Sequence, residues 1–199
     1  MRKSTIKLTK HELDFASDTI YPETKHSVIQ KTQQLFVDCG QKLSQNPLYQ
    51  EYTQHNEFKI TRGEQYQKLP YMVLDYPQIK GGNVDLVMRT MFWWGHYFSC
   101  NLIIKTTHLT TKQNTIAIQQ LSKTRVLVGE NLWEQDLYST EFCKLSKLSF
   151  EDIKELISTR TYLKLSRKIA LRNHTKLPNI IDKVYSEWLT TLSIKKGAV

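Results

Sequence analysis

The stretch NVDLVMRTMFWWGHYFSCNLIIKTTH, residues 83–108, constrains the fold more than any other part of the chain. Its side chains alternate in character on both sides of Gly95, which is typical of two strands joined by a tight turn. When the chain folds back at Trp94-Gly95-His96, one face becomes almost wholly apolar. That face carries the pairs Phe92–Phe98, Thr90–Cys100, Met88–Leu102, Leu86–Ile104 and Val84–Thr106.

The opposite face of this hairpin is mixed in character. It carries the pairs Trp93–Tyr97, Met91–Ser99, Arg89–Asn101, Val87–Ile103 and Asp85–Lys105. The last pair joins opposite charges, which stabilises cross-strand neighbours. A slip of one residue would set apolar side chains against polar ones, so the pattern itself fixes the register. The sequence therefore predicts one long antiparallel hairpin over about residues 84–106.

Helical periodicity flanks the hairpin on both sides. Apolar residues recur at helical spacing from Pro22 to Leu43, in a helix that we expect to fray beyond Gly40. Pro178 opens a last helix. Capping residues predict shorter helices over Lys10–Thr19 and after Ser149. The apolar stripe of the last helix consists of Ile181, Val184, Tyr185, Trp188 and Leu192.

Short alternating or β-branched segments predict further strands. We expect a loop, RGEQYQKLP, between the first two of them, and a turn at Gly81-Gly82-Asn83 before the hairpin. Thr110–Leu121 has mixed character, and its spacing favours a helix. The predicted strands are Phe58–Arg62, Tyr71–Leu74, Thr124–Val128, Leu137–Phe142 and Thr161–Leu171.

The order of these segments predicts the fold class. Strands cluster in the middle of the chain, helices lie towards both ends, and no β-α-β alternation is visible. We therefore expect an α+β fold, with an antiparallel sheet built around the hairpin and an N-terminal and a C-terminal amphipathic helix packed on it. The 199 residues suit a single domain over 1–199, with 1–8 and 195–199 as loose ends.

Charge and cysteine content narrow the functional classes. The net charge of +9 favours anionic partners, but it is scattered along the chain. The three cysteines are far apart and form no CxxC, which predicts reduced thiols in a cytosol. No apolar run approaches the roughly 20 residues of a membrane span, and no leader is visible. We expect a cytoplasmic bacterial protein that does not contact a membrane.

No constellation in the sequence argues for catalysis, a metal or a cofactor. Cys100 falls on the apolar face of the hairpin, several residues from His96, so a buried thiol is favoured over a nucleophile. The six histidines show no HxH or HExxH spacing. Gly81-Gly82 precedes a strand rather than a helix, so it is no phosphate loop. We assign no catalytic residue, no metal ligand and no cofactor, and enzymatic activity is left open.

The main candidate site combines the tyrosine-rich run RGEQYQKLPYMVLDYP, residues 62–77, with the polar face of the hairpin. An arginine among aromatic rings and amide donors can hold a planar or anionic small molecule in a cleft. In the competing interpretation the tyrosines are core edges, and Arg89 pairs with Asp75 or Asp85. The candidate residues are Arg62, Glu64, Tyr66, Tyr71, Asp75, Tyr76, Arg89, Trp93, Tyr97 and Asn101.

Two other classes of function stay open. One is a polyanion or nucleic-acid binder, because the densest basic stretch places Lys164 and Lys168 on one strand face. The aromatic residues that single-strand stacking needs are nearly missing there, and a solvated face is the alternative. The other class is a protein interaction module, in which the aromatic cluster or a hairpin edge docks a partner chain. The candidate polyanion contacts are Lys164, Arg167, Lys168, Arg172 and Lys176.

Several short motifs resemble one uncharacterised bacterial protein family. They are a Gly-Glu-x-Tyr turn, Leu-Pro-Tyr, Leu-Asp-Tyr-Pro and Arg-Thr-Met-Phe-Trp-Trp-Gly, all between residues 63 and 95. The resemblance covers about residues 22 to 195 and implies a shared fold. It implies no activity and assigns no functional residue.

Overall fold

The computed structural model describes residues 5–52, 56–79, 85–109 and 112–192. The helices in this part of the chain are α1 (Lys10–Ser17), α2 (Ile20–Gln45), α3 (Pro47–Gln50), α4 (Lys112–Gln120), α5 (Phe150–Thr159) and α6 (Leu177–Leu192). The strands are β1 (Lys59–Tyr66), β2 (Leu69–Tyr76), β3 (Leu86–Trp93), β4 (Tyr97–Lys105), β5 (Arg125–Leu127), β6 (Phe142–Lys144) and β7 (Tyr162–Ile169).

The seven strands described form one antiparallel sheet in the order β1-β2-β3-β4-β7-β5-β6. The predicted α+β class is therefore confirmed. The predicted hairpin register is confirmed for every pair from Leu86–Ile104 to Trp93–Tyr97. Asp85 and Lys105 continue it with an ion pair of 2.6 Å. At the turn, Gly95 has φ +75°, a conformation that glycine adopts without steric cost.

One face of the sheet is covered by helices and contains the main core. Both α2 and α6 contact it, as predicted for the amphipathic helices at the two ends of the chain. The predicted stripe of α6 is buried along its whole length, from Ile181 to Leu192. Residues of the apolar hairpin face, such as Met88 and Leu102, lie beneath these helices without exposure. Burial of this stripe and face is the dominant favourable term in the fold.

The other face of the sheet is covered by the protein's own connection between β5 and β6. We call residues 130–141 of this connection the strap. Its Leu137 belongs to a second, smaller apolar cluster with Met91, Trp93 and Tyr97. The hairpin is therefore buried on both faces, which matches the near absence of exposed residues along β3 and β4.

Several predicted boundaries are wrong. The expected loop RGEQYQKLP is mostly strand, because β1 and β2 extend to a tight turn at Gln67 and Lys68, both with positive φ. The expected strand Leu137–Phe142 is largely part of the strap, and the strand β6 begins only at Phe142. Four predictions concern residues outside those described. They are the turn at residues 81–83, the pairing of Val84 with Thr106, the start of the helix at Thr110 and the loose tail 195–199.

The long helix α2 also differs from its prediction. It starts two residues before Pro22 and runs unbroken past Gly40 to Gln45. Gly40 is buried, and a Cβ atom there would lie 2.6 Å from the ring of Phe58, just before β1. The glycine lets the helix approach the edge of the sheet closely, which offsets its poor helix propensity.

Replacing Gly40 by alanine is expected to destabilise the fold by about 1–3 kcal/mol because of this overlap. The helix propensity alone would predict a gain of about 1 kcal/mol. Urea denaturation of the wild type, Gly40→Ala, Phe58→Ala and the double variant measures the effect. The Phe58→Ala background should turn the loss into a gain. A gain in the wild-type background would contradict the close approach.

Candidate functional site

The predicted site residues separate into two groups. On the strap-covered face the structure brings together Tyr66, Tyr71, Asp75, Arg89, Trp93, Tyr97 and Asn101. The other three lie elsewhere. Tyr76 is buried towards the helices, and its ring contacts that of Tyr49. Glu64 forms a 2.7 Å ion pair with Lys25 of α2, and Arg62 is exposed on β1.

Arg89 is closed off by an acid rather than open to a ligand. Its Nε and Nη2 donate to the two carboxylate oxygens of Asp75, at 2.6 and 2.8 Å. Trp133 of the strap lies over the guanidinium, 4.6 Å from it to the ring centroid. Only 11% of the Arg89 side chain and 9% of the Asp75 side chain are exposed. The sequence left open whether Arg89 lines a ligand cleft or pairs with an acidic residue. In the structure Arg89 pairs with Asp75.

This ion pair is part of a polar row that crosses the whole sheet. Asn101 donates to the carbonyl oxygen of Arg89 at 3.2 Å and accepts from the Ser166 hydroxyl at 2.7 Å. Each member lies opposite the next one in the strand register, and hydrogen bonds of side chains join the four central members, Asp75, Arg89, Asn101 and Ser166. From β1 to β6 the row consists of Lys59, Asp75, Arg89, Asn101, Ser166, Arg125 and Lys144.

Two of the candidate tyrosines bind the backbone of the strap. The Tyr66 hydroxyl donates to the Glu134 carboxylate and accepts from the amides of Gln135 and Asp136, at 2.9 and 3.0 Å. The Tyr97 hydroxyl donates to the carbonyl oxygen of Gln135 at 3.1 Å and accepts from the amide of Leu137 at 2.8 Å. Burial, reinforced by the hydrogen bond to Glu134, raises the pKa of Tyr66 to about 12.

Lys164 of β7 binds the backbone of the strap from the sheet side. Its ammonium group donates to the carbonyl oxygens of Leu132 and Glu134, at 3.0 and 2.5 Å, and the residue is only 1% exposed. Burial lowers the pKa of Lys164 to about 7, and the nearby Arg89 charge adds to the shift. The expectation that Lys164 presents its charge at the surface is therefore wrong.

The other basic candidates do not form one surface. Arg167 lies on the helix-covered face and makes a two-point ion pair with Glu187, at 2.8 and 2.9 Å. Lys168 lies beside the strap, where it donates to the Tyr138 hydroxyl at 2.9 Å. Arg172 and Lys176 are exposed on a 3₁₀ segment, Leu171–Lys176. The basic stretch is therefore divided between two faces and a loop.

The cleft expected beside the polar hairpin face is filled by the strap. The strap carries four acidic residues and no lysine or arginine. It lies over Arg89, Arg125, Lys164 and Lys168. The side chains that an anionic ligand would have used are thus engaged by an acidic segment of the same chain.

A different opening lies at the tip of the hairpin. Between α2, the tip and the 3₁₀ segment is an open cavity of about 470 Å³. Thr32, Phe92 and Phe98 are its buried residues, and the side chains of Lys31 and His174 stand at its exposed rim. Its other apolar or partly apolar lining comes from Val28, Leu35, Trp94 and Leu171. No acidic residue lines it among the residues described.

This cavity was not predicted from the sequence. It is built from three segments that lie far apart in the chain, around residues 28–35, 92–98 and 171–175. A partial signal was present, because Val28 and Leu35 share a helix face and Trp94 continues the aromatic run beyond the last strand pair. Nothing in the sequence indicated that these two features meet.

A larger hollow, of about 740 Å³, lies between α4 and α5. Its lining includes Leu109 and Lys112, which flank residues 110–111 that the structure does not describe. No three His, Cys, Asp or Glu side chains converge on a metal-sized site within the described ranges. In the same part of the chain, no helix is long and apolar enough to cross a bilayer.

No family model, curated protein or solved structure matches this chain. The resemblance to an uncharacterised bacterial family, based on motifs between residues 63 and 95, stays a prediction.

Replacing Asp75 by asparagine is expected to cost about 3–5 kcal/mol, because it leaves the buried Arg89 charge without its partner. The double variant Asp75→Leu/Arg89→Met should regain most of this loss. Urea denaturation of the wild type and of both variants measures the difference. If the double variant is as unstable as the single one, the ion pair is not the reason for the loss.

The depressed pKa of Lys164 predicts how stability changes with pH. In the unfolded chain the amine keeps its proton up to about pH 10.4, whereas in the folded protein it loses the proton near pH 7. Between these values the unfolded state binds more protons, so rising pH stabilises the fold. We expect the wild type to gain stability over Lys164→Met between pH 7 and 9.5 in urea denaturation. A pH-independent difference would contradict the buried amine.

The matched control is Lys147→Met, at an exposed lysine. Its difference from the wild type should not change over the same pH range.

Proposed function

We propose that the protein binds a small apolar or aromatic molecule with an anionic group, in the cavity at the hairpin tip. This keeps the small-ligand class expected from the sequence and moves the site from the polar hairpin face to the tip. The observation that carries the proposal is the cavity of about 470 Å³ with apolar walls and a basic rim.

The size and lining of the cavity support a small ligand. Pockets for small molecules usually have about 300–1,000 Å³, mostly apolar walls and a few polar groups that orient the ligand. Aromatic residues such as Phe92, Trp94 and Phe98 offer broad contact area to an apolar body. The binding energy would come mainly from the apolar surface removed from water.

The charges at the rim support an anionic rather than a neutral or cationic ligand. Lys31 stands at the opening, and the neighbouring 3₁₀ segment carries Arg172 and Lys176. An exposed charge contact of this kind contributes about 0.2–1 kcal/mol, so it orients the ligand more than it holds it.

We also infer that the protein acts in the cytoplasm of a bacterium. The cysteines support a reducing compartment, because Cys39 and Cys100 are buried free thiols. A polyanion-binding function gains no support from the arrangement of the basic stretch.

Isothermal titration calorimetry with dodecanoate tests the proposal. One saturable site per chain is expected for the wild type. Thr32→Trp should abolish it, because the indole would occupy the cavity. Gln33→Trp is the matched control, since Gln33 is exposed on the same helix. Circular dichroism must show that both variants are folded.

The role of the basic rim is tested by comparing dodecanoate with dodecanol. Lys31→Gln should weaken the affinity for dodecanoate by about two- to fivefold and leave the affinity for dodecanol unchanged. The proposal is wrong if the folded wild type binds neither compound saturably, or if Thr32→Trp binds them as well as the wild type does.

A further inference from the structure

The N-terminal end of the protein exposes an unusual amount of apolar surface. The helix α1 has no buried residue, and Phe15 is 50% exposed. The rings of Phe15 and Tyr21 contact each other, with centroids 4.9 Å apart, at the bend between α1 and α2. We call the group Leu13, Phe15, Ile20 and Tyr21 the apolar corner; all four are exposed.

An exposed apolar group of this kind is typical of an interaction site. Of the large apolar side chains that are exposed in the described residues, those outside the first 21 residues are Ile116 on α4 and Trp133 and Tyr138 in the strap. The N-terminal concentration is therefore a local feature rather than a property of the whole surface.

The charges around the corner are opposite to those around the hairpin-tip cavity. Asp14 and Asp18 lie between the corner residues in sequence, and the run from Glu12 to Asp18 contains no lysine or arginine, although Lys10 begins the same helix. The cavity has Lys31 at its rim and the basic 3₁₀ segment beside it. An acidic apolar element and a basic apolar cavity are thus present in one chain, which favours their association.

The corner cannot reach the cavity of its own chain without breaking its own contacts. The contact of Phe15 with Tyr21 holds it at the start of α2, and Asp18 accepts from the amide of Ile20 at 2.8 Å. At about 1.5 Å per residue, Val28 and Leu35 lie roughly 10 and 21 Å further along the helix. If the corner docks into this cavity, the cavity must therefore belong to another copy of the chain.

The geometry of α2 suits a symmetric pair. Tyr21, Val28 and Leu35 are spaced by seven residues and share one face of the helix. If two copies of α2 cross antiparallel over this face, the corner of each copy meets the cavity of the other. Both contacts then form at once about a two-fold axis, which closes the assembly.

We propose that the protein forms a two-fold dimer in which the apolar corner of each copy docks into the hairpin-tip cavity of the other. The inference rests on the same cavity as the proposed function, so the corner and a small ligand compete for it. Ligand binding then shifts the protein towards the monomer by mass action.

Sedimentation equilibrium of the full chain over a wide concentration range tests the dimer. The mass should rise from 23.4 kDa to twice that value. Phe15→Ser removes an exposed side chain and should leave the protein folded and monomeric. Ile116→Ser is the matched control, because it removes an exposed apolar side chain on α4 and should leave the dimer intact.

Mixing two variants tests the docking mode. Phe15→Ser has an intact cavity, and Thr32→Trp has an intact corner, so the mixture regains one of the two contacts. A mixed dimer should form that neither variant forms alone. Any of three results overturns the inference. The wild type stays monomeric at all concentrations, the Phe15→Ser variant still forms the dimer, or the mixture of the two variants does not associate.

Dodecanoate separates this inference from the proposed function. It should dissociate the wild-type dimer and bind to the Phe15→Ser monomer. If dodecanoate does not bind to that monomer, the proposed function fails and the dimer result stands by itself. If the Phe15→Ser monomer binds dodecanoate but dodecanoate does not dissociate the wild-type dimer, then the corner and the ligand do not share one cavity, and this docking mode is wrong.

Discussion

The pairing of β3 with β4 is the constraint on which the rest of the structure depends. Its register turns one set of apolar side chains towards α2 and α6, namely Leu86, Met88, Phe92, Phe98, Leu102 and Ile104. On the reverse face it sets Arg89 opposite both Asp75 and Asn101. A slip by one residue would bury polar groups in the main core and expose apolar ones. The turn at Gly95 then fixes where the aromatic tip ends, and hence where the cavity beside α2 opens.

The polar row is stable because the chain supplies its own partners. Unpaired buried charges and donors are costly, so a row across the middle of a sheet needs complete satisfaction. Within the row, Asp75 pairs with Arg89 and the Ser166 hydroxyl donates to Asn101. On the same face but outside the row, the carbonyl groups of the strap accept from Lys164. The acidic strap thereby occupies the face that would otherwise attract an anion. The proposed small-molecule site therefore lies away from this face, at the hairpin tip.

The sequence predicted those parts of the fold whose signal is local. Alternation predicted the hairpin and its register, and the capping residues Thr9 and Ser149 marked the helices α1 and α5. The extent of β1 was missed because the register shifts between Gly63 and Tyr66, and because its turn uses two non-glycine residues with positive φ. The strap was missed because it has no periodicity.

The candidate site was predictable only in part. The pattern correctly grouped Arg89, Trp93, Tyr97 and Asn101 on one face of the hairpin, since alternation decides which side chains share a face. It could not indicate that a segment some forty residues away in sequence covers that face. Lys164 looked like a surface residue for the same reason. The cavity at the tip depends on the packing of three distant segments, which no local pattern encodes.

The most direct test is amide hydrogen exchange of the strap, followed residue by residue by NMR. The amides of Gln135, Asp136 and Leu137 belong to no helix or strand, yet they donate to the hydroxyls of Tyr66 and Tyr97. We predict that they exchange as slowly as amides in the central strands. If they exchange as fast as an exposed loop, the strap is open, the polar face is accessible and the assignment of the site to the hairpin tip is wrong.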